Sequence, residues 1–162
     1  MRLADPETRL QHARDLAWQA LNRRERTVAE LARLLAGKRV EPAAIETVVT
    51  ELCEQGYLDD ASYAQRFAED RRRLDAWGAE RIERRLRGLG VAAEHIAAAT
   101  AQQDGATELE AAVALLRRRV PAVPATPRER DRALGMLVRK GYELELAYDA
   151  LRRYAGAEAP LD

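Results

Sequence analysis

Gly56-Tyr57-Leu58-Asp59-Asp60 lies between two strongly helical patterns and has the residues to end one helix and start the next with almost no linker. Glycine costs least at the first position past a helix, where φ is usually positive, and this puts Gly56 there. Tyr57 then stands two past the helix end, and Leu52 sits where a Schellman cap places its apolar partner. Asp59 is placed to cap the following helix by accepting its orphan backbone N–H bonds. Leu58 before that cap and Tyr63 after it have the spacing of a hydrophobic staple. Asp60 adds a second negative charge at the positive end of the same helix. The five residues therefore set the angle between two helices.

Upstream of the corner, residues 1–8 lack periodicity and read as a mobile start. From Leu10, an apolar face runs through Ala13, Leu16, Ala17, Ala20 and Leu21. Thr27 and Glu30 form a capping box for a second helix, which buries Val28, Leu31, Leu34 and Leu35. Glu41-Pro42 opens a third, with Ile45, Val48, Val49 and Leu52 as its stripe. Downstream, Tyr63, Ala64, Phe67 and Leu74 mark a helix ending around Trp77-Gly78. Ile82, Leu86 and Leu89 mark the next, and Ala93 to Gln103 a third. After Asp104-Gly105 the scheme recurs. Leu109, Ala112, Val113, Leu116 and Val120 line a helix interrupted by Pro121, Pro124 and Pro127. Asp131 to Lys140 turn Leu134, Leu137 and Val138 inward, and Leu144, Ala147, Tyr148, Leu151 and Tyr154 form the last stripe.

These units superpose at a fixed offset. Val40, Val91 and Tyr142 lie 51 residues apart, as do Leu35, Leu86 and Leu137, and Ile45, Ile96 and Ala147. The first helix of the third unit fits at an offset of 48, pairing Phe67 with Leu115, with the proline-rich segment absorbing the difference. Gly90 with Val91 and Leu86, and Gly141 with Tyr142 and Leu137, repeat the capping chemistry. The first unit has Arg39 in the glycine position, so Arg39 is asked to take a left-handed conformation at roughly 1 kcal/mol. The expected fold is all-α: three tandem three-helix units and about nine helices. The boundaries are 1–8 for the start, 9–56, 57–104 and 105–155 for the repeats, and 156–162 for a disordered acidic tail.

Composition limits the function. Hydrophobic residues make up 47% of the 162 residues but aromatics only 5%, so the cores are expected to be small and Ala-rich. The net charge of zero argues against a uniformly basic nucleic-acid binder. The charge is uneven, however: residues 1–70 hold 10 Lys/Arg against 13 Asp/Glu, and residues 71–153 hold 17 against 12. Cys53, the single cysteine, allows no intrachain disulfide or Cys-based zinc site, and its helical spacing with Ile45, Val49 and Leu52 reads as a small buried hydrophobe. No apolar run reaches the roughly 20 residues of a membrane span. A signal peptide is not apparent, so a cytoplasmic protein is expected.

The chemistry-bearing patterns are few. His12 and His95 are far apart, and neither a phosphate-binding glycine loop nor a Gly-x-Ser-x-Gly elbow occurs. Asp59 and Asp60 are better explained by capping than by acid–base work or Mg²⁺ binding, so neither an enzyme nor a cofactor is expected. The arginines say more. Arg71, Arg72 and Arg73 follow the Tyr63/Phe67 face, and Arg81, Arg84, Arg85 and Arg87 ride the next helix. Arg117, Arg118 and Arg119, Arg139 with Lys140, and Arg152 with Arg153 end helices in the third unit. One reading is that these cations complement helix C-termini and keep the surface soluble. The other is that some converge on acidic protein surfaces or phosphates, which the guanidinium fork grips in bidentate fashion. Base readout is not supported, since no helix joins a basic start to base-reading Asn, Gln or Ser side chains.

Arg23-Arg24-Glu25-Arg26-Thr27-Val28-Ala29-Glu30-Leu31, followed by Gly56-Tyr57-Leu58-Asp59-Asp60, resembles RecX, the bacterial family of regulators of the RecA recombinase. Gly78-Ala79-Glu80-Arg81-Ile82 with Leu86 and Leu89-Gly90-Val91 is similar to the family's second-unit pattern, and Leu137-Val138-Arg139-Lys140-Gly141-Tyr142 to its third. The likeness covers roughly residues 10–154, with one departure: the family usually has Lys-Gly-Phe where this chain has Lys38-Arg39-Val40. The resemblance implies an elongated, curved array of three-helix repeats without catalysis. It implies binding to RecA filaments on DNA, and limits on filament growth, ATP hydrolysis and strand exchange, in recombination, DNA repair and the SOS response. The partner would be the filament, with weak non-specific DNA contact, no membrane and a monomeric protein. The contact residues would be Arg71, Arg72, Arg73, Arg81, Arg84, Arg85, Arg117, Arg118, Arg139, Lys140, Arg152 and Arg153. Gly56 to Asp60, Gly90 and Gly141 would serve as structural joints. A helical protein that competes for DNA without touching the recombinase is the alternative.

Overall fold

A computed structural model describes residues 5–101 and 104–157 and contains, among them, nine α-helices and no strand. They are α1 (Pro6–Arg23), α2 (Val28–Gly37), α3 (Pro42–Glu54), α4 (Asp60–Asp75), α5 (Ala79–Gly88), α6 (Ala93–Thr100), α7 (Gly105–Arg119), α8 (Pro127–Lys140) and α9 (Leu144–Ala157). The all-α, tandem three-helix organisation read from the sequence is the one observed. Contacts gather these helices into two compact units. Unit 1 takes the chain up to Ala64 together with Leu86–Ile96, and unit 2 takes Gln65–Arg85 together with the chain from Ala97 onward. Helices α4, α5 and α6 thus contribute to both.

Unit 1 buries Ala13, Ala17 and Ala20 of α1 against Leu31 and Leu35 of α2, Val48 and Leu52 of α3, and Leu58. The alanines let α1 approach closely, and the leucines supply most of the buried area, at roughly 1.5–3 kcal/mol each. The core of unit 2 is richer. Leu115 and Leu116 of α7, Leu137 of α8, and Tyr142 and Tyr154 are all nearly inaccessible to water. Each tyrosine places its hydroxyl on a backbone carbonyl: Tyr142 donates to Ala76 O at 2.9 Å and Tyr154 to Val120 O at 2.6 Å. Burial pushes the Tyr142 phenol up to about 12, and Glu108 adds to the effect.

The corner at Gly56 has the expected form. Gly56 has φ 79°, its N–H donates to Cys53 O at 3.1 Å, and the Tyr57 N–H donates to Leu52 O at 2.9 Å, which is the Schellman pair. Asp59 caps α4, accepting from Ser62 N at 3.0 Å and from the Ser62 hydroxyl at 2.8 Å. The Tyr57 ring remains 58% exposed and meets Trp18 edge to face at 4.6 Å. Arg39 does what the repeat register asked of it: φ is 61°, with the Arg39 N–H on Ala36 O and the Val40 N–H on Leu35 O.

The two ends of α5 are joined to neighbouring helices in corresponding ways. In unit 1, the Thr27 hydroxyl donates to Leu89 O at 2.6 Å, and the Asp60 carboxylate accepts from Val28 N at 3.0 Å. In unit 2, the Gly78 N–H donates to Lys140 O at 2.8 Å, and the Glu108 carboxylate accepts from Ala79 N at 2.7 Å. Thr27 and Gly78, Leu89 and Lys140, and Val28 and Ala79 are each 51 residues apart, while Asp60 and Glu108 are 48 apart. Both offsets read from the apolar pattern therefore recur in the hydrogen bonds. At each joint the carbonyl end of one helix faces the start of another, and groups left unpaired at the termini find partners there: Leu89 O on the Thr27 hydroxyl, and Lys140 O on the Gly78 N–H. The joints are tight. A Cβ on Gly90 would fall under 3.0 Å from Ala29 Cβ, and one on Gly141 would lie 2.6 Å from Arg81 N.

Several sequence expectations change. Helix α1 starts at Pro6 instead of Leu10, because Asp5 caps it by accepting from Thr8 N at 3.0 Å. Of the expected mobile start, residues 1–4 lie outside the described residues, as do 158–162 of the expected tail; α9 itself continues to Ala157. Pro127 opens α8 rather than breaking a helix, since Thr126 and Glu129 form a capping box around it. Helix α4 stops at Asp75, with Ala76 left-handed at φ 53°, and α6 stops at Thr100. Gln102 and Gln103, expected to end α6, lie outside the described residues. Cys53 is exposed, because the stripe that is buried in α3 runs through Val48 and Leu52. Its thiol is raised by partial burial and by Asp60, Asp59 and Glu54, which disfavours the thiolate. Leu74, Val138, Leu144 and Tyr148 were expected to face inward and are exposed; the neighbouring helices pack against other faces.

Candidate functional site

All twelve cationic residues singled out from the sequence fall in unit 2. The structure divides them by what their side chains already do. Arg71, at the end of α4, pairs with Asp75 one turn on and lies 5.8 Å from the ring centres of both Phe67 and Trp77. Arg72 donates to Ala99 O at 2.9 Å, and its half-buried guanidinium is shifted down by desolvation. Arg73 pairs with Asp70 at 3.4 Å. Arg81 stacks on Trp77 at 4.1 Å and donates to Arg139 O at 3.1 Å. Lys140 gives its ammonium to Asp75 O at 2.9 Å, and Arg152 pairs with Asp149.

The pairs of Arg71, Arg73 and Arg152 lie within their own helices, whereas the bonds of Arg72, Arg81 and Lys140 hold helix ends together. Lys140 and Arg81 bring the α4–α5 turn onto the end of α8, where Gly78 and Gly141 let the two backbones approach. Trp77 is the hub, half-buried between two guanidinium planes and edge to face with Phe67 at 6.1 Å. The rings and guanidinium groups around Trp77 lie close in sequence, but the bonds that tie them to α8 span 58 and 65 positions and were not legible in the sequence.

The other six of the twelve are exposed. Arg84 and Arg85 lie on α5, Arg117 and Arg118 at the end of α7, Arg139 at the end of α8 and Arg153 on α9. Among the described residues none of these six guanidinium groups makes an ion pair, so each carries its charge into solvent. Cations in the last turn of α7 and α8 also oppose the negative end of the helix dipole. Their chemistry is that of anion recognition: guanidinium planes without a nearby nucleophile or acid–base pair. Among the described residues, no group of three or more His, Cys, Asp or Glu side chains could hold a metal ion, and no helix is long and apolar enough to cross a membrane.

Comparison with known proteins places this architecture. The family model for the first three-helix domain of RecX matches residues 13–52, and the model for its second three-helix domain matches residues 59–99. The Regulatory protein RecX of Thermobifida fusca is 32% identical over 96% of this chain and 85% of its own length. That of Leptothrix cholodnii is 35% identical over 84% of this chain and 85% of its own. Among solved structures, RecX from Lactobacillus salivarius aligns with a TM-score of 0.83 over 92% of this chain and 98% of its own, at 14% identity. A second, titled regulatory protein RecX, aligns at 0.75 over 90% and 72%, with 22% identity. These two likenesses bear on the fold alone.

Proposed function

This chain belongs to the RecX family of regulatory proteins, and from that premise we propose that it is a non-enzymatic inhibitor of the RecA recombinase. It binds the RecA–DNA filament and limits filament extension, ATP hydrolysis and strand exchange. The observation that carries this reading is relatedness to regulatory proteins along nearly the whole chain, 96% in the Thermobifida fusca comparison. The protein acts as a cytoplasmic monomer, and residues 9–56, 57–104 and 105–155 are its repeat units. The exposed guanidinium groups suit an acidic protein surface or phosphates, and Arg84 and Arg85 on α5 are the first contacts to test.

The DNA-dependent ATPase of RecA, measured with substoichiometric amounts of the protein at DNA excess, tests the proposal. Inhibition well below one copy per RecA is expected. Inhibition that vanishes on adding DNA refutes filament binding in favour of simple competition, and that competition would show the steep salt dependence of phosphate neutralisation. Reversing charge at Arg84 and Arg85 together weakens inhibition while leaving the thermal melt unchanged. Unchanged inhibition removes that pair from the contact.

A further inference from the structure

The segment between α7 and α8 covers a cleft of about 690 Å³ lying wholly within unit 2. Its floor is apolar, from Ala133 and Met136 of α8, and the connecting segment adds Val120, Val123 and Pro124 from above. Three arginines line it, Arg119, Arg132 and Arg139, all exposed. The acid among the lining residues is Glu129, and its carboxylate is already committed, accepting from Ala125 N at 2.8 Å and Thr126 N at 3.1 Å. Those bonds hold it below the usual carboxylate range. The cleft therefore offers a hydrophobic floor under an excess of positive charge.

Two features hold this arrangement ready. Pro121 and Pro124 stiffen the covering segment, and Pro124 is buried. On the helix side, Gly135 sits in the interior of α8, where glycine costs about 1 kcal/mol relative to alanine. A Cβ there would lie 3.0 Å from a terminal nitrogen of the Arg139 guanidinium. Gly135 thus leaves room for Arg139 to lie back along the helix beside the floor.

We propose that this cleft docks an acidic segment of a partner protein, one bulky apolar side chain entering between Val123 and Met136 with flanking carboxylates on Arg119, Arg132 and Arg139. The chemistry favours a peptide over a nucleic acid, because the lining holds no aromatic ring on which a base would stack, whereas carboxylates flanking a Leu or Phe match both the arginines and the apolar floor. This goes beyond the proposed function and uses different residues from Arg84 and Arg85.

The test makes no use of a recombinase, so its outcome and that of the ATPase assay are independent. Peptides are selected from a random displayed library on the full chain, and the best is labelled and titrated by fluorescence anisotropy. Selected peptides are expected to be rich in Asp and Glu around a large apolar residue. Arg132→Gln with Arg139→Gln lowers affinity at least tenfold, with only the slight fall in melting temperature expected from removing a cation in the last turn of α8, and Arg84→Gln with Arg85→Gln does not lower affinity. Gly135→Ala, which keeps all charges, raises the melting temperature yet weakens the peptide several-fold by displacing the Arg139 guanidinium. No selected peptide, peptides without acidic enrichment, equal loss with the α5 pair, or a single-stranded oligonucleotide as the ligand lost on the cleft substitutions would each overturn the proposal.

Discussion

Gly90→Ala tests how closely α2 and α5 meet, with Gly56→Ala as a control at the same backbone angle. Both glycines have φ of 79°, so each alanine carries the same left-handed penalty, about 1–2 kcal/mol. Both also gain about 0.4–1 kcal/mol from a less flexible unfolded chain. They differ in what the new methyl meets. At Gly56 nothing lies within 4 Å, whereas at Gly90 the methyl falls under 3.0 Å from Ala29 Cβ. Overpacking of that kind costs about 1–3 kcal/mol. Urea melts followed by circular dichroism should therefore show Gly90→Ala to be less stable than Gly56→Ala by about 1–3 kcal/mol. Ala29→Gly, which by itself costs about 1 kcal/mol as a glycine in α2, should be coupled to Gly90→Ala by about 1–3 kcal/mol in a double-mutant cycle, because the next atom, Ala29 Cα, is 3.8 Å away, an ordinary contact. Truncating the neighbour should not relieve Gly141→Ala in the same way, because the obstruction there includes backbone, Arg81 N at 2.6 Å and Cα at 3.0 Å. Equal stability of the Gly90 and Gly56 variants, or no coupling between Ala29→Gly and Gly90→Ala, would refute the close joint.

Arg39→Gly should stabilise the chain by about 0.5–1 kcal/mol, the left-handed penalty less the added freedom of the unfolded state; a melt showing no gain counts against the strain assigned to Arg39. Thr27→Ala removes a cap and leaves the carbonyl of Leu89 unpaired, costing about 2–4 kcal/mol in a denaturant melt, while Thr27→Ser keeps both bonds and most of the stability. Tyr142 titrates near 12 when folded and near 10 when unfolded, so its contribution is fully present below pH 10. Between those values the unfolded chain releases a proton that the folded one keeps, and stability falls as pH rises. Tyr142→Phe should flatten that alkaline slope; an unchanged slope would show that another group causes it.

Helix existence was legible throughout, and helix boundaries were legible where capping chemistry was read. Thr27 with Glu30, and Gly56 with Asp59, sit where the sequence put them. The start of α8 was not legible although Thr126-x-x-Glu129 is the same box, because Pro127 beside Pro121 and Pro124 fits a helix break as well as a first helical turn. Faces were harder. Leu144 and Tyr148 satisfy the period of α9, yet Ala147, Ala150, Leu151 and Tyr154 face the core, since a stripe has two edges and packing selects one. The arginine site was legible only as a set of candidates. Arg81 and Lys140 are chemically like Arg85 and Arg139 in sequence, but only the fold brings Trp77 and the Asp75 carbonyl to the first pair.

The sequence by itself determined the helices, their caps, the 51- and 48-residue offsets and even the left-handed turn at Arg39. Each of these rests on residues within a few positions of one another, or on a pattern that repeats, so near-neighbour chemistry suffices. The tertiary structure alone decided that Asp60 closes the start of α2 and Glu108 that of α5, and that Arg72, Arg81 and Lys140 bond backbone carbonyls far from them in the chain. It also decided that a proline-stiffened segment roofs a basic, apolar cleft. The bonded pairs among these lie 27 to 65 positions apart. A carboxylate or guanidinium carries no record of its partner until the packing of the cores brings the two within a hydrogen bond.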